Sequence, residues 1–236
     1  MEEILRSGFA SLGVPVPDGA LDAFRKYYDL LTERNQVMNF TAIEGEEDTA
    51  RLHFLDCGAL LGFKDLNGMK VLDVGSGAGF PGLVLKILCP SIDLTLLDAQ
   101  HKRTEFQQEV VDTLGLENVR CMHGRAEEMT EMRGQFDIVI SRAVAKLSIL
   151  NELCMPLVKV GGRFIAMKGP DPKQEMQESK RACYLMGGRH VRYEPYTIPG
   201  TDIVHSYILV IKEYPSPSQY PRRYSSIKKQ PLGYPE

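Results

Sequence analysis

The stretch VLDVGSGAGFPG, residues 71–82, runs from apolar residues to an acid and then to four glycines, a composition suited to holding a nucleotide-like ligand. Met69 to Val74 reads as a short buried strand and Leu83 to Leu88 as a helix body, so Gly75, Gly77 and Gly79 fall in the strand-to-helix turn. Glycine there lets backbone approach a ligand closely. A dinucleotide fingerprint needs glycine at position 80, which is Phe80, and no Gly-Lys-Ser/Thr follows to make a phosphate-binding loop. What remains is Asp73-x-Gly75-x-Gly77-x-Gly79, with an acid two residues ahead of the first glycine. A turn serving only tight helix-strand packing is the competing reading.

That spacing resembles the first motif of the Rossmann-like methyltransferases that bind S-adenosylmethionine, which makes Asp73, Gly75, Gly77 and Gly79 candidate cofactor residues. Further candidates lie where later strands end. Asp98 closes the second strand about twenty residues beyond the glycines, where an acid accepts hydrogen bonds from ribose hydroxyls or caps the next helix. Ala126 and Glu127 follow the third strand, placed for an adenine edge or simply for a surface helix start. Ser141-Arg142-Ala143 ends the fourth, and an arginine there needs a partner, because an unpaired guanidinium is costly to desolvate. Substrate, cofactor carboxylate or a site acid would each serve. His53 and Asp56, three apart on a helix, form an acid-base pair or, more simply, a helix-surface contact.

Stepping outward, strands near 69–74, 93–98, 118–123, 136–141 and 162–168 alternate with helices near 80–88, 102–114, 126–131, 147–157 and 173–186. This alternation predicts an α/β fold with a mostly parallel sheet and helices on both faces, ligands meeting the carboxyl ends of the strands. Segments 189–198 and 203–212 add an antiparallel hairpin, giving a seven-stranded sheet. Ahead of it, Asp18 caps a helix carrying Leu21, Phe24, Tyr28 and Leu31, and Glu46 to Leu61 forms a second with Leu52, Phe54, Leu55 and Ala59. The organisation expected is therefore a helical extension over 1–66, a Rossmann-like domain over 67–214, and a tail over 215–236. Prolines in YPSPSQYPRRYSSIKKQPLGYPE predict an irregular tail.

The 236 residues, 43 % hydrophobic, suffice for a sizeable core. The start, MEEILRSGFASLG, has two acids and no basic leader region, and no run approaches about 18 apolar residues, so the chain reads as soluble and cytoplasmic, without a membrane partner. Cys57, Cys89, Cys121, Cys154 and Cys183 include no C-x-x-C pair, which argues against zinc or disulfides and for reduced core cysteines; no metal site is expected. Net charge is −3, yet Arg222, Arg223, Lys228 and Lys229 against one acid give the last 22 residues +3 and leave −6 on the first 214. The tail is the basic end, and with Lys102, Arg103, Arg125 and Lys168 it supplies candidate contacts to RNA phosphates, each of which read singly is also an ordinary solvated charge.

Asn39-Phe-Thr-Ala-Ile43, the glycine motif continuing through Phe80-Pro-Gly82, Leu97-Asp98 with Lys102-Arg103, Arg125-Ala-Glu127, Ser141-Arg-Ala-Val-Ala145, and Lys168-Gly169 occur in the order of one family. Over nearly its whole length the chain resembles the ribosomal RNA small subunit methyltransferase G family, also called glucose-inhibited division protein B. The resemblance implies a class I methyltransferase fold, S-adenosylmethionine as cofactor, and methyl transfer to N7 of a guanine in a loop of bacterial 16S ribosomal RNA, free or in the small subunit. It also implies that Gly75, Phe80, Ala126, Glu127 and Arg142 contact the cofactor.

The residues agree with that chemistry. Guanine N7 carries a lone pair on the major-groove edge, so its methylation needs no deprotonation. No Asp/Asn-Pro-Pro-aromatic tetrad follows Ile140, no Pro-Cys or Thr-Cys dipeptide offers a thiol for cytosine C5, and Ser141 stands where a ribose methyltransferase would want an acid. No catalytic residue is therefore assigned beyond Arg142 as an orienting group. The alternatives are a small-molecule methyltransferase, which has no use for a tail with four cations, and a non-catalytic protein that binds adenosylmethionine and RNA.

Overall fold

The computed structural model describes residues 1–233. Seven strands form one sheet: β1 (Lys70–Val74), β2 (Asp93–Asp98), β3 (Val119–His123), β4 (Phe136–Arg142), β5 (Val158–Lys168), β6 (Gly188–Thr197) and β7 (Val204–Lys212). Their order is β3-β2-β1-β4-β5-β7-β6, with β1 to β5 parallel and β7 antiparallel between β5 and β6. Leu94 and Ile138 flank Val71 from either side, so β1 is central and fully apolar neighbours bury it. Chain order reverses at β1, and the crevice between the carboxyl ends of β1 and β4 is the ligand position such sheets provide.

Helices cover both faces. On one lie α1 (Glu2–Ser11), α2 (Ala20–Met38), α5 (Gly82–Leu88) and α6 (His101–Leu114), with Phe9, Phe24, Tyr27 and Phe54 in a single apolar cluster. On the other lie α7 (Leu147–Cys154), α8 (Lys173–Glu178) and α9 (Lys180–Leu185). The predicted helix Glu46 to Leu61 is three segments in succession: α3 (Glu46–Thr49), a π-wound stretch Ala50–Leu55, and α4 (Asp56–Phe63). Widened turns of this kind re-aim side chains and recur at functional sites.

The structure departs from the expected elements in several places. α1 has no counterpart in the sequence reading, although Leu5 and Phe9, four apart, are both fully buried. The helix expected at 126–131 is two 3₁₀ turns, and that at 173–186 breaks at Ser179. The tail is not irregular throughout. It forms α10 (Tyr224–Lys229), and Ile227 on that helix is fully buried. Proline argued against order, but the tail's polar backbone is satisfied by the body: Arg133 donates to the carbonyls of Ser216, Pro217 and Tyr220, and buried Lys212 donates to Met155 O and Met186 O and bonds Ser216 Oγ. The last three residues of the tail lie outside the described residues.

Candidate active site

The glycine turn is built by backbone that only glycine adopts readily. Gly75, Gly77 and Gly79 have φ of +73°, +59° and +99°. Their surroundings differ. A side chain at Gly77 would meet open space, whereas one at Gly75 would strike Val144 and one at Gly79 would strike Leu83 and Tyr27. Gly77 therefore faces the ligand space, and Gly79 serves packing.

Two acids hold this turn from different sides. The Asp98 carboxylate accepts from Gly77 N at 2.8 Å and from Gln100 N at 2.9 Å, and Arg103 lies 3.5 Å away. It thus braces the turn and starts α6 while still lining the cleft. Asp73 is fully buried beneath the turn and accepts from Gly82 N at 2.8 Å, while its Oδ1 has no hydrogen-bond partner. Burial pushes its carboxyl up to about 7, aided by Asp98 and opposed by the Gly82 N–H. Asp73 bonds Gly82 N from beneath the turn and Gly79 packs on Leu83 and Tyr27, so both support the loop from within.

Two cavities meet at Gly75, Ala99 and Val144. The larger, about 400 Å³, runs past Gly77, Phe80, Asp98, Arg103 and Arg142. The smaller, about 180 Å³, is lined by Val74, Leu97, Arg125, Ala126, Glu127 and Tyr224. The first mixes charged groups, Asp98, Arg103 and Arg142, with the apolar Phe40, Phe80 and Val144; the second is mostly apolar. Sequence reasoning brought Gly75, Gly77, Phe80, Asp98, Ala126, Glu127 and Arg142 to this cleft and missed Thr41, His53, Val144 and Tyr224. His53 carried a signal in its spacing to Asp56, and Thr41 and Val144 lie within motifs that carry the family resemblance, with no role assigned to them.

A third cavity, about 280 Å³, shares Arg142 and Ala143 with the cleft and is lined beyond them by Asp56, Met167, Lys168, Gly169 and His205. Here His53 and Asp56 prove to be buried rather than a surface pair. Arg142 Nη1 donates to Cys57 Sγ at 2.7 Å, and Nη2 donates to Leu52 O at 2.9 Å and to His53 Nδ1 at 3.2 Å. A guanidinium only donates, so His53 Nδ1 accepts and its Nε2–H donates to Thr41 Oγ1 at 2.8 Å. Burial and then Arg142 push this imidazole down to about 3, so it is neutral, and its ring stacks on Phe80 at 4.2 Å. Asp56 Oδ1 accepts from Tyr196 Oη at 2.6 Å and from His205 Nδ1 at 2.8 Å. Burial opposes ionisation, yet His205, Arg142 and Tyr196 together hold Asp56 below the usual carboxylate range. Burial also pushes the Cys57 thiol up to about 12, against Arg142, which leaves it no nucleophile.

The RNA-contact candidates divide. Arg222 is turned inward, donating from Nε and Nη2 to fully buried Glu152 at 2.8 and 2.7 Å. Lys168 is tied to Ala145 O at 2.8 Å and Glu175 at 2.7 Å, fixing the 143–147 turn. Arg103 faces Asp98 in the cleft. Each is thus tied to a partner within the fold, and Arg222 most firmly, because Glu152 is fully buried. Lys102, Arg125, Arg223, Lys228 and Lys229 are exposed. Among the described residues no group of His, Cys, Asp or Glu could hold a metal ion, and no helix is long and apolar enough to cross a membrane.

Solved structures share this fold at low sequence identity. TrmN from Thermus thermophilus aligns with a TM-score of 0.56 and 18 % identity over 75 % of this chain and 53 % of its own. A SAM-dependent methyltransferase from Aquifex aeolicus aligns with a TM-score of 0.51 and 21 % identity over 70 % of this chain and 94 % of its own. Curated relatives are nearer: the ribosomal RNA small subunit methyltransferase G of Alkaliphilus metalliredigens is 43 % identical over 97 % of this chain and 98 % of that protein, and that of Clostridium tetani 41 % over 98 % of each. The model of the rRNA small subunit methyltransferase G family matches residues 20–201. The chain belongs to the rRNA small subunit methyltransferase G family.

Proposed function

We infer that this protein transfers a methyl group from S-adenosylmethionine to N7 of a guanine in 16S ribosomal RNA. The observation that carries the reading is the junction of two cavities at Arg142 and Ala143: a glycine-turn cleft suited to a nucleoside-bearing cofactor opens beside a pocket suited to a base. The donor set fits the cofactor, since the space over Gly77 is open, Asp98 presents a carboxylate to a ribose, and Val74, Leu97 and Ala126 are apolar toward an adenine. When bound, S-adenosylmethionine supplies an electrophilic methyl group on a sulfonium.

The chain's own residues then position and stabilise. Guanine N7 needs no base, and the groups bonded to Arg142 offer none that must act: His53 is neutral with both ring nitrogens engaged, and Cys57 stays a thiol. Arg142 cannot take a proton and fixes the wall between the two cavities. Methyl transfer turns the acceptor base into a cation, and the ionised Asp56 carboxylate in the wall of the acceptor pocket is placed to favour that charge. Geometry supplies the remainder, by holding methyl and N7 in line at near-attack distance. Small ribosomal subunits from cells lacking the enzyme, incubated with S-adenosylmethionine and the protein, should yield 16S RNA that borohydride and aniline cleave at one guanosine. Methyl found instead on an exocyclic amine or a ribose would overturn the N7 reading.

A further inference from the structure

The tail contributes more than charge. On α10, positions 224 and 227 are three apart and so share a face, while Arg223, Lys228 and Lys229 are exposed. Ile227 is fully buried in the apolar cluster that includes Leu150 and Leu153 of α7. Tyr224, half-buried, lines the apolar cavity together with Val74, Leu97, Ala126 and Glu127. The Arg125 guanidinium lies 5.9 Å from the centre of its ring. This placement is firmly held, because Arg222, two residues upstream, makes a two-pronged pair with fully buried Glu152 and also donates to that carboxylate from its own backbone N–H at 2.9 Å.

We propose that Tyr224 is a cofactor-binding residue: its ring is a wall against which the adenine of S-adenosylmethionine packs, so the docked tail completes the cofactor site. This rests on the adenosylmethionine reading above. The chemistry follows from the cavity. Apart from Arg125 and Glu127, every other residue that lines it is aliphatic or small, and an adenine gains from an aromatic neighbour what an aliphatic wall does not offer. Because the ring is already positioned by Arg222, Ile227 and Arg125, little ordering remains to oppose binding. Binding and docking are then linked, and linkage is reciprocal: a tail that raises cofactor affinity is itself held in place by the cofactor.

The test uses the full chain with S-adenosylhomocysteine as probe. In calorimetry, Tyr224→Ala should bind about ten-fold more weakly than the unaltered protein, and Tyr224→Phe within about two-fold. Adenosine alone should lose affinity by the same factor, since the ring meets the base. In hydrogen exchange, S-adenosylhomocysteine should slow the amides of residues 222–229 in the unaltered protein and leave them unmoved in Tyr224→Ala. Wild-type affinity in Tyr224→Ala, or tail amides indifferent to the probe, would overturn the proposal while leaving the cofactor reading intact. Failure of the unaltered protein to bind the probe would instead remove the cofactor reading itself.

Discussion

The Arg142 guanidinium lies 3.5 Å from the Asp56 carboxylate, joining the end of β4 to the start of α4 across the boundary between the glycine-turn cleft and the cavity lined by Lys168 and His205. Asp56 is nearly inaccessible and Arg142 largely buried, and three hydrogen bonds to Cys57, Leu52 and His53 complete the arginine's shell. Removing the guanidinium leaves buried Asp56 Oδ2 without its charge partner, with Tyr196 and His205 bonding Oδ1 alone. Arg142→Ala should therefore cost about 3–5 kcal/mol of unfolding free energy. Urea denaturation followed by circular dichroism would measure it, and a loss below about 1 kcal/mol would mean that water or a shifted side chain replaces the guanidinium.

The open space over Gly77 makes a sharper test of cofactor placement. Its φ of +59° disfavours any side chain, and the direction a side chain would take leads into the cleft. Gly77→Val should abolish measurable binding of S-adenosylmethionine in calorimetry with little change in the far-ultraviolet spectrum. Retained affinity would move the cofactor away from this turn.

Asp73 gives a pH prediction with a definite sign. Its carboxyl is raised from 3.8 to about 7 in the folded chain by burial, so the folded state holds a proton that the unfolded chain releases. The stability this contributes is complete below pH 4 and is lost as pH rises through 7. His53 works in the opposite sense, being depressed from 6.5 to about 3, so its contribution is present above pH 6.5 and lost below. A single pH profile mixes the two. Comparing Asp73→Asn with its parent isolates the first: between pH 4 and 7 the variant should gain on the parent by up to about 4 kcal/mol. A difference that does not change with pH would mean that Asp73 stays ionised beneath the turn.

Much of this was readable in the sequence, for definite reasons. Parallel strands buried on both faces read as apolar runs, so β1, β2 and β4 were placed to within a residue or two, and each run led into residues that meet the cleft: the glycines after Val74, Asp98, and Arg142. Parts of the site brought together by distant segments were not legible. His53 and Asp56 looked like a solvent-facing pair because a helix pattern shows spacing, and what buries them is Arg142, Tyr196 and His205, some ninety to a hundred and fifty residues further on. Tyr224 sat in a proline-rich, basic stretch with no periodicity, and partners elsewhere in the fold, the buried acid on α7 and Arg133 among them, explain why that stretch docks. Arg222 and Lys168 carried the charge expected of phosphate contacts, but charge alone does not reveal a buried partner.

That division of the cations reshapes the expectation for RNA. Of the four tail cations, Arg222 is committed to Glu152, whereas Arg223, Lys228 and Lys229 point to solvent from or beside α10. Phosphate contacts release counterions, so each one made by a single-stranded segment steepens the salt dependence of binding by about 0.7 in the log-log slope. Replacing Arg223, Lys228 and Lys229 together by alanine should flatten that slope for 16S RNA by up to about 2, while leaving thermal stability nearly unchanged because none of the three is buried. Arg222→Ala should behave in the opposite way. It strands the Glu152 carboxylate in the apolar cluster, so it should lower stability by about 3 kcal/mol or more and undock the segment that carries Tyr224. Filter binding across a salt series, run beside thermal melts of both variants, separates the two roles. A slope that survives loss of the three exposed cations would place the RNA on another face, with Lys102 and Arg125 as the next charges to remove.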